Sequence, residues 1–180
     1  MNSIKYFPRP MVRVLVAGLL YLLLIPDANA QYKSVTIGID GLTCSMCSNS
    51  VEKLMRQLDF VADVEMDLNS TIAQVTFHAD KKVRINDLAK KVYDAGFSVR
   101  KLQALFNFDT VEAKEGKSFV YEGDEYVFVK SSGQTLNGEA PVTFVGKNYM
   151  SKKEFAHWKS IFAKYKGTSK TKSQVYHIVL

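Results

Sequence analysis

The stretch Val35-Thr36-Ile37-Gly38-Ile39-Asp40-Gly41-Leu42-Thr43-Cys44-Ser45-Met46-Cys47-Ser48-Asn49-Ser50-Val51 decides the fold, because two periodicities meet in it. Val35, Ile37 and Ile39 alternate with polar or small residues, the pattern of a strand with one buried face. From Val51 onward the spacing changes. Val51, Leu54, Met55 and Leu58 fall at i, i+3, i+4 and i+7, one face of a helix. The two cysteines lie in the connection between strand and helix.

Working outward, the alternation returns at Val64, Met66 and Leu68, reaches a turn at Asn69-Ser70, and resumes at Ala73, Val75 and Phe77. Ile85, Leu88, Ala89 and Val92 form a second helical stripe, and Gly96 stands where a helix ends. Phe97 and Val99 open a fourth strand. The order βαββαβ predicts a ferredoxin-like α+β domain, with two helices on one face of a four-stranded antiparallel sheet, over residues 31–107.

Residues 108–180 predict a smaller α+β unit, either a second domain or an elaboration packed on the first. Asp109 to Lys117 is polar and expected to be linker or loop. Phe119–Tyr121 and Tyr126–Lys130 flank Glu122-Gly123-Asp124-Glu125 as a hairpin. The polar stretch from Ser131 to Glu139 precedes a strand at Val142–Val145. Ser151-Lys152-Lys153-Glu154 is a capping box opening a helix whose stripe is Phe155, Trp158, Ile161, Phe162 and Tyr165. Gly167 to Ser173 is expected to be loop, and Val175 to Leu180 a final strand. No internal repeat is visible.

Residues 1–30 have a different character. Lys5, Arg9 and Arg13 precede an apolar run from Val14 to Ile25, and Ala28-Asn29-Ala30 ends it. Positive start, apolar middle and Ala-x-Ala end predict a secretory signal cleaved after Ala30. The run is about twelve residues, short of the roughly twenty that a bilayer-spanning helix needs. A periplasmic or secreted protein with no membrane span after cleavage is therefore expected. These three basic residues also contribute to the formal charge of +6. Beyond Phe108 the basic residues are all lysines, mixed with Asp and Glu, which describes a solvated face. A nucleic-acid groove would favour clustered arginines with interleaved aromatics.

Cys44 and Cys47 are the only cysteines of the 180 residues. A disulfide between them would close almost no loop, so it would stabilise the chain little, and their role is chemical. Two thiolates two residues apart can converge on one ion. Next to a helix N-terminus, the unpaired N–H groups favour their negative charge. A thiolate pair suits soft ions of low coordination number, Cu(I) or Hg(II), and disfavours Mg²⁺ and Ca²⁺. Zn(II) or Cd(II) would require further ligands.

Gly41-Leu42-Thr43-Cys44-Ser45-Met46-Cys47 followed by Ser50-Val51-Glu52, together with Asp94-Ala95-Gly96-Phe97, resembles the heavy-metal-associated domain family over roughly Val35 to Leu105. The resemblance implies that Cys44 and Cys47 bind the metal. It also implies a metal-transport ATPase or another metal-binding domain as partner. Thr43 looks like the copper and mercury members rather than the zinc and cadmium ones. Leu42 stands where the family usually has Met, a volume-conserving swap. Phe97 stands where many bacterial members have Tyr, and it retains a ring that can shield the site. Met46 is expected to face solvent or a partner.

The expected function is a non-enzymatic Cu(I) carrier or scavenger that passes one ion by ligand exchange. A mercury-binding protein is one alternative, and a thiol–disulfide oxidoreductase using the same C-x-x-C is another. Against the oxidoreductase, thioredoxin-like proteins do not have the βαββαβ order, and the Trp that often precedes their redox cysteine is absent. His78, His157 and His177 form no spaced ligand pair. Trp158 with Phe155 and Phe162 is expected to be core, and Met150 a buried contact.

Overall fold

The computed structural model describes residues 31–165 and 173–180. The expected signal peptide and most of the loop at Gly167–Ser173 lie outside these residues. The first six elements are β1 (Gln31–Asp40), α1 (Ser45–Met55), β2 (Val61–Asp67), β3 (Ile72–Phe77), α2 (Ile85–Asp94) and β4 (Ser98–Ala113). Their strands lie in the order β2-β3-β1-β4, with every neighbour antiparallel. This is the ferredoxin-like arrangement that the periodicities predict.

The predicted stripes are the buried ones. Val35, Ile37 and Ile39 of β1, Val51 and Met55 of α1, and Ile85, Leu88, Ala89 and Val92 of α2 form one core with Ala73, Val75 and Val64. Leu68 departs from its expected place: it lies in the turn beyond β2 and is 38% exposed. At the end of α2, Gly96 has φ +88, its N–H donates to Tyr93 O, and the Phe97 N–H donates to Val92 O at 3.1 Å. This pair of bonds satisfies carbonyls at the helix end and requires a left-handed residue, which glycine supplies.

The remaining elements are β5 (Ser118–Tyr121), β6 (Asp124–Lys130), β7 (Gln134–Val145), α3 (Lys152–Lys164) and β8 (Val175–Val179). They extend the same sheet to eight strands, in the order β2-β3-β1-β4-β7-β8-β6-β5. The loop expected at Asp109–Lys117 is strand as far as Ala113. The β4–β7 register shifts between Phe108 and Val111, and Thr110 takes φ 47, so a bulge absorbs the polar residues without ending the pairing. The strand expected at Val142 begins at Gln134 instead. Pro141 is tolerated in it because β8 pairs only with Thr143–Val145, leaving one side of β7 free at the proline.

The sheet curls until β5 and β6 pack over β1 and β4. Tyr32 of β1 places its ring 5.9 Å from Tyr121 and its hydroxyl 2.9 Å from the Tyr126 hydroxyl. Phe106 lies 5.1 Å from Tyr121 and 5.8 Å from Phe119. Lys82, just before α2, pairs with Asp124 of β6 at 2.9 Å. Residues 108–180 thus share the core of the first six elements.

Helix α3 begins as the capping box predicts, the Glu154 N–H donating to Ser151 Oγ. It packs separately, with Phe155, Trp158, Ile161 and Phe162 half-buried against Val129, Val145 and Met150. Trp158 and its neighbours are thus a partly covered layer, not deep core. Met150 is buried, as expected. No helix among the described residues is long and apolar enough to cross a membrane.

Candidate metal centre

The cysteine loop sits at one end of the sheet, where β1 ends and β4 begins; Asp40 is paired with Ser98. The β2–β3 turn reaches the same end, since the Ile39 N–H donates to Thr71 O at 2.9 Å. Gly41 leaves β1 with φ +84, and a Cβ built there would lie 3.7 Å from Phe97 Cδ1. Phe97 is therefore packed beside the entrance of the loop, and its ring stays against the core. Leu42 is 1% exposed and anchors the loop from below, so the aliphatic substitute fills the core as the volume argument expects.

Cys44 is the N-cap of α1, with extended backbone (φ −138, ψ 153), and its Sγ accepts the Cys47 N–H at 3.2 Å. Cys47 lies in the first turn. The Ser48 N–H donates to Cys44 O, and Ser48 Oγ donates to Ser45 O at 2.8 Å. The first turn of α1 holds no Asp or Glu, so nothing opposes the helix dipole's preference for negative charge at the sulfurs. Cys44 is exposed, Cys47 is half-buried against the core, and Met46 between them is 85% exposed, as expected of a solvent-facing residue.

The two cysteines form a disulfide, with Cα atoms 5.2 Å apart. In this state neither sulfur is a thiolate, the form in which cysteine ligates a metal, so the pair would have to be reduced before it could bind one. Among the described residues no group of three or more His, Cys, Asp or Glu side chains is placed to hold a metal ion. His78 lies beyond the end of β3 that pairs with the start of β1, away from the cysteines. His157 is exposed on α3, and His177 Nε2 lies 2.7 Å from Tyr165 O.

Arg100 was not singled out in the sequence. The β1–β4 register steps from Gly38–Lys101 to Ile39–Val99, so Arg100 is the extra residue of a bulge. Its guanidinium lies flat over Gly38, where a Cβ would come within 3.3 Å of it. It donates to Thr71 Oγ1 at 2.9 Å and Ser70 O at 3.1 Å, and lies 3.5 Å from Asp40. The strand end that launches the cysteine loop is thereby tied to the β2–β3 turn. The only sequence signal was the glycine interrupting β1, which leaves room for a large side chain across the sheet.

Comparison with known proteins agrees with this geometry. The heavy-metal-associated domain is matched over residues 36–98. The copper chaperone CopZ of Bacillus subtilis is 35% identical over 66 residues, covering 37% of this chain and 94% of that protein. The mercuric transport protein periplasmic component of Serratia marcescens is 32% identical over 92 residues, covering 50% of this chain and 100% of that protein. The copper-exporting P-type ATPase of Staphylococcus saprophyticus is 36% identical over 70 residues, which is 38% of this chain but 8% of the ATPase. The chain belongs to the heavy-metal-associated domain family.

Proposed function

We propose that this protein is an exported carrier of one soft metal ion, Cu(I) first, held between the Cys44 and Cys47 thiolates and passed on by ligand exchange. The observation that carries the reading is the placement of both cysteines at the N-terminus of α1, 5.2 Å apart at Cα, with no cluster of three or more His, Cys, Asp or Glu around them among the described residues. Two soft donors satisfy Cu(I) or Hg(II) and leave Zn(II) or Cd(II) short of their usual coordination. A two-coordinate ion can accept a thiolate from a partner before it releases its own. This suits delivery to a metal-transport ATPase or another metal-binding domain, the classes to which the relatives belong. Binding and release need no bond to be made or broken in a substrate, so the reading is a binding protein and not an enzyme. Export rests on the pattern of residues 1–30 and on the periplasmic component among the relatives.

The test is an anaerobic titration of the reduced protein with Cu(I) against a competing chelator. One tight equivalent is expected, lost by at least about 100-fold in affinity in Cys44→Ser/Cys47→Ser, because the two thiolates supply the charged soft donors of the site. Copper uptake retained by the double variant would end the reading. The mercury alternative shares both ligands and draws on the relative matched over its whole length. Competition of Hg(II) against Cu(I) on the same protein, followed by transfer to a second dithiol domain, decides which ion exchanges fast enough to be cargo.

A further inference from the structure

Helix α3 is an outer layer with no part in the metal centre. Successive residues of a strand face opposite sides of a sheet. Phe128, Phe144 and Ile178 belong to the main core, while their neighbours Val129, Val145 and Val179 meet α3 on the far side. The helix rests there on Phe155, Trp158, Ile161 and Phe162, so its opposite side is turned to water. That side is basic. Over residues 109–180 lysines and acids are mixed, but between Gly146 and Tyr165 five lysines stand against Glu154 alone. The Glu154 carboxylate accepts from Ser151 Oγ at 3.3 Å and belongs to the capping box. Lys152 and Lys159 form one row along α3 and Lys153 and Lys164 another, with Ala156, Ser160 and Ala163 between them. All four lysines are exposed; Lys164 lies 3.7 Å from Glu115 and still keeps 70% of its side chain in water.

We propose that the lysine face of α3 docks on an anionic phospholipid surface. The shape of the face selects a flat partner. Two rows of long cationic side chains flank a row of small ones along about 20 Å of helix, so their ammonium groups can reach one plane. Nucleic acid would meet clustered arginines, and α3 has none. The neighbouring aromatic selects lipid over a soluble polyanion. Trp158 lines a partly open cleft of about 240 Å³ together with Arg100, Lys101, Val145 and Met150. An indole beside cations, with an apolar wall behind it, is suited to the headgroup level of a bilayer. The contact is peripheral and electrostatic, and salt screens it. It also bears on the cysteine loop. Lys101 pairs with Gly38 of β1 and bridges to Met150, so α3 begins about 10 Å across the sheet from the strand that launches the loop. The lipid contact itself requires no metal, and it stands or falls separately from the carrier reading.

Vesicle flotation without metal tests it. The chain from Gln31, the first residue of β1, to Leu180 contains every described element. It is mixed with vesicles of phosphatidylglycerol and phosphatidylcholine, or of phosphatidylcholine alone. The protein is expected to float with the anionic vesicles only, and to be released by salt. Lys152→Gln/Lys153→Gln/Lys159→Gln should weaken the partition by about 100-fold, at roughly fivefold for each lysine. Lys33→Gln/Lys53→Gln/Lys81→Gln removes the same charge at exposed positions off α3, and should change it by about twofold or less. Trp158, the only tryptophan of the sequence, reports the contact. On anionic vesicles its emission should move to shorter wavelength and resist quenching by acrylamide; soluble polyglutamate should cause neither change. Equal flotation of the two triple variants, or binding that leaves Trp158 unchanged, would overturn the proposal. So would polyglutamate that displaces the protein at an equal concentration of charge, which would assign the face to an acidic protein.

Discussion

Residues 31–107 and 108–180 share a sheet and a core, but they fill it differently. The first half is packed by aliphatic side chains at regular spacing, with Val35, Ile37 and Ile39 facing Val51, Leu88 and Val92. The second half contributes rings: Phe119, Tyr121, Tyr126, Phe128, Phe144 and Tyr176 stack and edge against one another and against Tyr32 and Phe106 of the first. Only the first half carries thiols. The difference teaches that the chemistry and the enlargement are laid on opposite ends of one scaffold. The cysteine loop occupies the end where β1 finishes. The ring cluster gathers where β1 starts and leaves the loop exposed.

The sharpest way to break this picture is to separate the halves. The relatives include a copper chaperone covered to 94% by a 66-residue match, so a chain of that size suffices in that protein. Here β4 would lose β7 along most of its length, and Tyr32 and Phe106 would lose their covering rings. A chain running from Gln31 to Asn107 is expected to self-associate, or to melt more than about 10 °C below residues 31–180. Size-exclusion chromatography and thermal denaturation check this. A monomeric fragment of undiminished stability would show that the halves are independent.

The contrast also explains what could be read in the sequence. Each element of the first half buries one face locally, so spacing alone located β1, α1, β3 and α2, and the Cys44–Cys47 pair fell at a predictable junction. The second half chooses partners far away in the chain. Nothing near Ser131–Glu139 signals a strand, because Gln134 to Gly138 pair with Phe108 to Ala113 across a bulge, and polar residues at that edge face solvent. The curl that brings Tyr126 to Tyr32 is a property of the sheet, invisible to any window of sequence. Arg100 escaped for a related reason: a bulge shifts its side chain off the alternation.

A milder cut targets the clamp between the halves. Lys82 Nζ reaches Asp124 Oδ2 at 2.9 Å and donates to Glu122 O, while the Gln174 N–H donates to Asp124 Oδ1. The Asp124 side chain is 10% exposed, so Lys82→Met would leave a nearly buried carboxylate with one donor fewer. Because the lysine itself is 42% exposed, water moderates the loss, and about 1 kcal/mol of stability is expected to go. Urea denaturation measures it. Copper affinity of the reduced protein should not change, since the clamp lies away from the cysteine end; a large change would mean the two ends are coupled.

The smallest effect at neutral pH sharpens the comparison most, because it isolates the ring cluster. In Tyr32→Phe/Tyr126→Phe both partners of a buried hydroxyl pair are removed together, so no orphaned donor remains, and stability at pH 7 should change by about 1 kcal/mol or less. Alkaline pH reverses the balance. Burial raises the pKa of Tyr32 and Tyr126 well above the ordinary tyrosine value, and pushes Tyr121 up to about 12. Each folded phenol then keeps its proton where the unfolded chain loses it. The stability these groups contribute is complete below about pH 10 and is lost as pH climbs from there toward the folded values. The double variant removes two such groups, while Tyr149 and Tyr176, also raised by burial, remain. Its melting temperature should therefore fall less steeply above about pH 10 than that of the parent, without becoming flat. Parallel slopes would mean that alkaline unfolding starts elsewhere, and that the second half holds to the first by shape rather than by its neutral phenols.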